Sequence, residues 1–207
     1  AVSVYVSAKG GGSENKAKFA VLNPSDSVAD WVVDTVEKLG AGWCPPGILG
    51  IGVGGSSDRA MAMAKKALND PLDMQALLKN GPQNKSEELR IEIYERVNAL
   101  GIGAQGLGGV TTVLDVKIKS FPTHAASLPV GLIPNCAATR HLHFTLDGTG
   151  IPNFQTPDLA AWPEILLDEA NKNARRVDVD NLNEETLASL KIGETLLLNG
   201  TIYTGRD

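Results

Sequence analysis

The softest donors in the chain are two cysteines, each in an unusual setting. Cys44 lies in AGWCPPGILGIGVGG and Cys136 in LPVGLIPNCAATR. A thiolate is a nucleophile and a ligand for soft metals, whereas a neutral thiol packs like a small hydrophobe. On residue type alone, the burial habit of cysteine favours a core role for Cys44. The neighbouring Pro45 and Pro46 support another reading. Their fixed φ and missing N–H keep the segment from relaxing into a helix, so a thiol beside them would be held on a stiff turn. Two sulfurs with no Cys-x-x-Cys pair fall short of a closed zinc site. They also make a poor disulfide framework for a chain this long, which points to a reduced, cytoplasmic compartment.

His124, in FPTHAASLP, falls in a loop between two predicted strands. Loops held by a rigid scaffold carry many catalytic residues, and an ordinary imidazole suits proton transfer near neutral pH. His141 and His143 are two apart on a predicted strand and share a face, which ordinary surface or core placement explains better than ligation. The glycine loops KGGGS and GIGAQGLGG resemble phosphate cradles in composition. Neither is followed by the Lys-Ser/Thr of a P-loop, and GIGAQGLGG does not match the G-x-G-x-x-G spacing in the strand–turn–helix context of a dinucleotide fingerprint. Tight turns, or close backbone approach to a small ligand, fit them better. Arg206, in GRD, offers a planar fork matched to a carboxylate, or a surface ion pair with Asp207.

The elements that position these residues read as mixed α/β. Alternation in AVSVYV predicts a strand. Val28, Trp31, Val32, Val36 and Leu39 form a helical stripe, capped by Ser25 or Asp26 and stopped by Gly40. Ile48–Val53 reads as a small-residue strand, with Ser56 and Ser57 as caps for the helix DRAMAMAKKAL. Pro71 closes that region. Asn84 with Glu87 gives the order of a capping box for a helix ending at Gly101. TTVLDVKIKSF, SLPVGLI and TRHLHFTLD read as strands. Glycines 148 and 150 mark a break before the proline-dense IPNFQTPDLAAWPEI. RRVDV is a strand, residues 183–190 a short helix, and TLLLNGTIYTG a hairpin turning at Asn199-Gly200. One α/β domain and the start of another are expected, and the strand-like ends suggest a piece of a longer chain.

Composition narrows the function classes. The 207 residues are 43% hydrophobic and 21% charged, with a formal net charge of −5. That balance argues against a general nucleic-acid binder or membrane-surface binder. No apolar run approaches the ~20 residues of a membrane span. A small anionic substrate stays compatible, because a local arginine overrides the global sign.

In order along the chain, KGGGSENK, WCPPGILGIGVGG, GIGAQGLGG, PTHAASLPVGLIPNC and NGTIYTGRD resemble the class I, iron–sulfur fumarate hydratases. The resemblance covers essentially the whole sequence and includes both cysteines. It implies residues 1–150 as part of an N-terminal iron–sulfur hydro-lyase domain, 151–174 as a linker and 175–207 as the start of a C-terminal domain. It further implies Cys44 and Cys136 as two of three protein ligands of a [4Fe–4S] cluster whose open iron polarises substrate oxygen. By the same matching, His124 is the active-site histidine, Arg206 binds substrate carboxylate, and Gly11 supplies backbone to the substrate pocket. The implied reaction is reversible hydration of fumarate to (S)-malate by a homodimer, with a small dicarboxylate as its partner. The family's first cluster cysteine would lie upstream of Cys44, where this chain has none. The 207 residues alone are therefore expected to be inactive, with the cluster absent or incomplete. An L-(+)-tartrate dehydratase and a non-catalytic module of the same fold are the rival readings.

Overall fold

A computed structural model of the protein describes residues 1–138, 140–151, 154, 160 and 172–203. The chain divides into two compact units, Ala1–Asn153 and Phe154–Asp207.

The first unit is built on a four-stranded sheet. Its strands are β2 (Lys18–Leu22), β3 (Gly47–Gly54), β4 (Val113–Phe121) and β5 (Leu128–Cys136), in the order β2-β5-β3-β4. β3 and β4 are parallel, and β5 runs antiparallel to both β3 and β2. The alternation of side chains divides β3 between two layers. Leu49 and Ile51 join the larger core with α2 (Val28–Leu39), α4 (Met74–Asn80) and α5 (Lys85–Ala99). Ile48 faces the other way and packs with Ala64, Leu68 and Ile133 beneath α3 (Ser57–Ala67). The glycines of β3 explain how closely α3 lies. A Cβ at Gly52 would collide with the Ala60 carbonyl oxygen, and one at Gly50 with that of Ala64.

Most of the expected elements form, and local chemistry accounts for the shifts. Ser27 caps α2, its side chain accepting from the Asp30 N–H at 3.1 Å. Asp26, an expected cap, is engaged one turn earlier, accepting from the Asn23 N–H at 2.8 Å. Asn84 caps α5 as expected, accepting from Glu87 N–H at 3.1 Å. The Glu87 carboxylate reaches Gln83 N–H rather than that of Asn84, so the box closes one residue early. α4, hidden in the sequence behind Pro71, gains its place from the carboxylate of Asp115, which accepts from the N–H groups of Asp73 and Met74 at its start.

A two-stranded ribbon completes this unit. β1 (Val2–Ala8) and β6 (Arg140–Leu146) pair antiparallel, Val2 opposite Leu146 and Tyr5 opposite His143. His143 accounts for itself within this ribbon. Its ring stacks on Tyr5 with centroids 4.1 Å apart, and Nε2 lies 2.8 Å from Ser3 Oγ.

The second unit corrects one expectation. β7 (Arg175–Asp178) and β8 (Leu196–Asn199) are parallel, joined through α6 (Glu184–Ser189). Asn199-Gly200 does not turn a hairpin: residues 201–203 form no strand, Gly200 has φ 129°, and Thr201 N–H is taken by the Asp180 carboxylate at 3.0 Å. β8 pairs instead with β7, Leu198 opposite the buried Val177, so a non-local pairing prevails over the local turn preference. Most of residues 151–171, expected as a linker, lie outside the described residues.

Candidate active site

Four segments meet at one end of the sheet, where β3 begins and β5 ends. The turn before β3 carries Cys44 at φ 60°, with its N–H donated to Ala41 O at 2.8 Å. A left-handed conformation is uncommon for any residue with a Cβ. Cys44 is exposed, so it does not fill the core that its residue type favoured. The burial at this turn belongs to Trp43, which is 1% exposed. The sequence therefore anchors the turn with an indole and presents the sulfur next to it.

Cys136 ends β5 and is half-buried. It pairs with Gly47, and Ala137 donates to Pro46 O at 3.2 Å. The two cysteines thus stand on adjacent strand ends, three residues and none from the same rung. Gly47 is required there, because a Cβ would strike the Asn135 carbonyl.

The two glycine loops close around this end. α1 (Gly11–Asn15) docks on β5 through the buried Ser13, whose hydroxyl donates to Pro134 O. A Cβ at Gly12 would lie 2.6 Å from Gly42 O, so glycine at 12 permits the approach of α1 to the cysteine turn. Gly11 itself opens onto space, with nothing within 4 Å of where a Cβ would sit. From the other loop, Gln105 donates twice to Pro45 O, from its backbone N–H at 2.7 Å and from Nε2 at 3.3 Å. Gln105 holds φ 55°, the other non-glycine left-handed residue among those described. Asn98 fixes the base of this loop, its Oδ1 accepting from Thr112 and Val113 N–H at 2.7 and 2.9 Å.

His124 is elsewhere. It follows β4, beyond the opposite end of the sheet, where Thr123 Oγ1 donates to Gly55 O at 2.9 Å. β3 has eight residues between these ends, roughly 23 Å at the usual strand rise. His124 is exposed, and its Nδ1 accepts from Ala126 N–H at 3.1 Å, which leaves Nε2 as the free ring nitrogen. Within one chain the fold gathers Cys44, Cys136 and the Gly11 loop, and it sets His124 apart. Arg206 lies outside the described residues.

Among the described residues no group of three His, Cys, Asp or Glu side chains converges as a metal site. The two thiols nonetheless suit a cluster in kind: one exposed and one half-buried sulfur, on adjacent strand ends, amid backbone kept free of Cβ atoms. They supply part of a donor set. Gln105 escaped the sequence reading, although it is the one polar side chain in an otherwise apolar, glycine-rich loop, whereas Gly12 belongs to the loop read as allowing close backbone approach.

Comparison with known proteins then decides the family. The sequence profile described as fumarate hydratase (fumerase) matches residues 1–145, and that described as fumarase C-terminus matches 148–207. The chain belongs to the fumarate hydratase family. A class I, aerobic fumarate hydratase of Salmonella typhimurium is 32% identical over 214 residues, covering 97% of this chain and 36% of its own length. A Methanocaldococcus jannaschii protein assigned as L(+)-tartrate dehydratase subunit alpha is 41% identical over 145 residues, covering 67% of this chain and 48% of its own length. The corresponding Escherichia coli subunit alpha is 32% identical over 142 residues, 67% of this chain and 45% of its own. The chain therefore spans less than half the length of these relatives. Both units of the fold fall within the fumarate hydratase match.

Proposed function

We propose that the intact protein is a class I fumarate hydratase that reversibly adds water to fumarate to give (S)-malate. The observation that carries this reading is coverage. A class I fumarate hydratase matches 97% of this chain, which takes in both units, whereas the tartrate dehydratase alpha subunits match 67% of it. Cys44 and Cys136 serve as two ligands of a [4Fe–4S] cluster, with further protein donors coming from outside these 207 residues. When bound, the cluster supplies a Lewis acid that polarises a substrate oxygen.

The chain's own residues do the positioning. The Trp43 anchor and the Gln105–Pro45 bonds fix where the Cys44 sulfur is offered. The Ser13–Pro134 bond fixes α1, so that Gly11 offers its backbone to open space on the loop that meets the cysteine turn through Gly12 and Gly42. Arg206 is assigned to the substrate carboxylate on its bidentate geometry. His124 is assigned as the catalytic histidine. Because it stands at the far end of the sheet from its own chain's cysteines, that assignment places it in the site of a second copy, in keeping with a homodimer.

One observation favours a tartrate dehydratase as the second reading: identity to the Methanocaldococcus jannaschii subunit is 41% over 145 residues. The test uses the intact protein purified without oxygen, as wild type and as Cys44→Ser. Wild type is expected to bind iron and sulfide and to turn over fumarate faster than L-tartrate. Cys44→Ser is expected to lose most of both iron and activity. Retention of iron and activity by the variant would remove Cys44 from the site, and faster turnover of L-tartrate would move the chain to the second reading.

A further inference from the structure

A cavity of about 310 Å³ lies where β1, α1, α3 and β5 meet. Its buried wall consists of Leu68 and Asn135, 6% and 1% exposed, and its rim carries Lys9, Glu14 and Lys65. Neither Nδ2 nor Oδ1 of Asn135 has a hydrogen-bond partner in the protein. A buried amide left unpaired is costly, so such groups are normally completed by a ligand or by ordered water. The polar neighbours in the cavity are already engaged with each other: Ser7 donates to the Asn69 carboxamide oxygen at 2.7 Å. Glu14 Oε1 bridges the ammonium groups of Lys9 and Lys65, each at 3.0 Å, which leaves spare donors on both lysines and a net positive rim.

This cavity is not the cysteine centre. Asn135 and Cys136 are consecutive in β5 and point to opposite faces. Asn135 shares the α3 face with Ile133, while Leu132, on the face of Cys136, belongs to the core beneath α2 and α5. The needs of the site select its ligand. Asn135 Oδ1 requires a donor, Asn135 Nδ2 an acceptor, and the lysines an anion. A hydroxyl beside a carboxylate meets all three, and the volume fits a molecule of a few carbons.

We propose that this cavity binds a small α-hydroxycarboxylate, as a site separate from the cysteine centre and on the opposite face of the same strand. The inference goes beyond the hydratase reading and does not depend on it. Any occupancy would bear on Cys136 through the single peptide that joins it to Asn135.

The test is calorimetric titration of (S)-malate, with succinate as the hydroxyl-free control, into the 207-residue chain, free of iron and carrying ¹⁵N-labelled asparagine. (S)-malate is expected to bind one per chain, at least tenfold tighter than succinate, and to shift the side-chain amide resonances of Asn135. Lys65→Ala, at a largely exposed position that leaves folding intact, is expected to weaken binding about tenfold. Asn135→Leu is expected to remove the preference for malate over succinate. If that variant does not fold, the Asn135 resonances of the wild type decide alone. Absence of binding would show that the cavity holds water only and would overturn the proposal. So would binding that leaves the Asn135 amide unshifted, is unchanged in Lys65→Ala, or does not distinguish malate from succinate.

Discussion

Asp115 does more for this fold than any other charged residue described. It is wholly buried on β4, accepts from two backbone N–H groups at the start of α4, and pairs with Arg90 at 3.2 Å and Lys117 at 3.0 Å. Arg90 also donates from Nε to Val116 O at 2.6 Å, which covers a carbonyl of this edge strand. Removing one partner of such a cluster strands the others without counter-charge. Asp115→Ala is therefore expected to cost about 3–5 kcal/mol, read as a lower midpoint in urea denaturation. Asp73, half-exposed, joins the same cluster through Arg90 and Lys117. Burial alone would raise its carboxyl, but hydrogen bonds from Arg90 and Lys117 together hold it below the ordinary value. A depressed carboxyl stabilises the fold above its unfolded pKa of about 3.9 and loses that contribution as pH falls through its folded value. Stability is thus expected to fall below about pH 4, and less steeply in Asp73→Asn, as acid titration followed by circular dichroism would record. A charge at Asp115 and another at Lys117, interrupting an apolar strand, were the sequence signal for this cluster. The partners in α5 and ahead of α4 were not legible, because ion pairing across that distance leaves no periodicity.

At the scale of elements, β3 and α3 form the tightest contact in the first unit. Small residues on both sides make it possible: Gly50 and Gly52 on the strand, Ala60 and Ala64 on the helix, both alanines fully buried. Burial without large side chains brings backbone to backbone, so a single methyl group forces the helix away. Gly52→Ala is expected to cost about 1–3 kcal/mol by overpacking, measurable as a lower Tm. The loss should be accompanied by faster hydrogen exchange in α3 than in α5, since α5 packs on the other face. The cap of α5 was readable because a cap is a contact within three residues, whereas that of α2 falls on Ser27, just after the expected Ser25 or Asp26. The parallel β7–β8 pairing was not readable, since it joins residues about twenty positions apart across α6.

For the whole molecule, the separation of His124 from the cysteines makes a quantitative demand. If the working site combines the cysteines of one copy with His124 of another, two defective chains can complement each other. Co-expression of intact His124→Asn and Cys44→Ser chains gives mixed dimers with one sound site each. Random pairing then predicts roughly one quarter of wild-type activity, against nearly none for either variant alone. Activity no higher than the single variants would exclude a site shared between copies. Among the described residues no helix is long and apolar enough to cross a membrane.

What the sequence determined by itself is the part written in short-range chemistry. Strand alternation, helix stripes, the cap at Asn84, the glycine loops and the ordered motifs of the family all rest on residues a few positions apart. The tertiary structure decided the rest. It exposed Cys44 by burying Trp43 next to it, joined Cys44 and Cys136 through the Gly47–Cys136 rung, and placed His124 past the other end of the strand. It also left Asn135 without a partner at the wall of a cavity. Such relations follow from which apolar faces are buried together, and residues far apart in the chain acquire their neighbours only when the sheet is assembled.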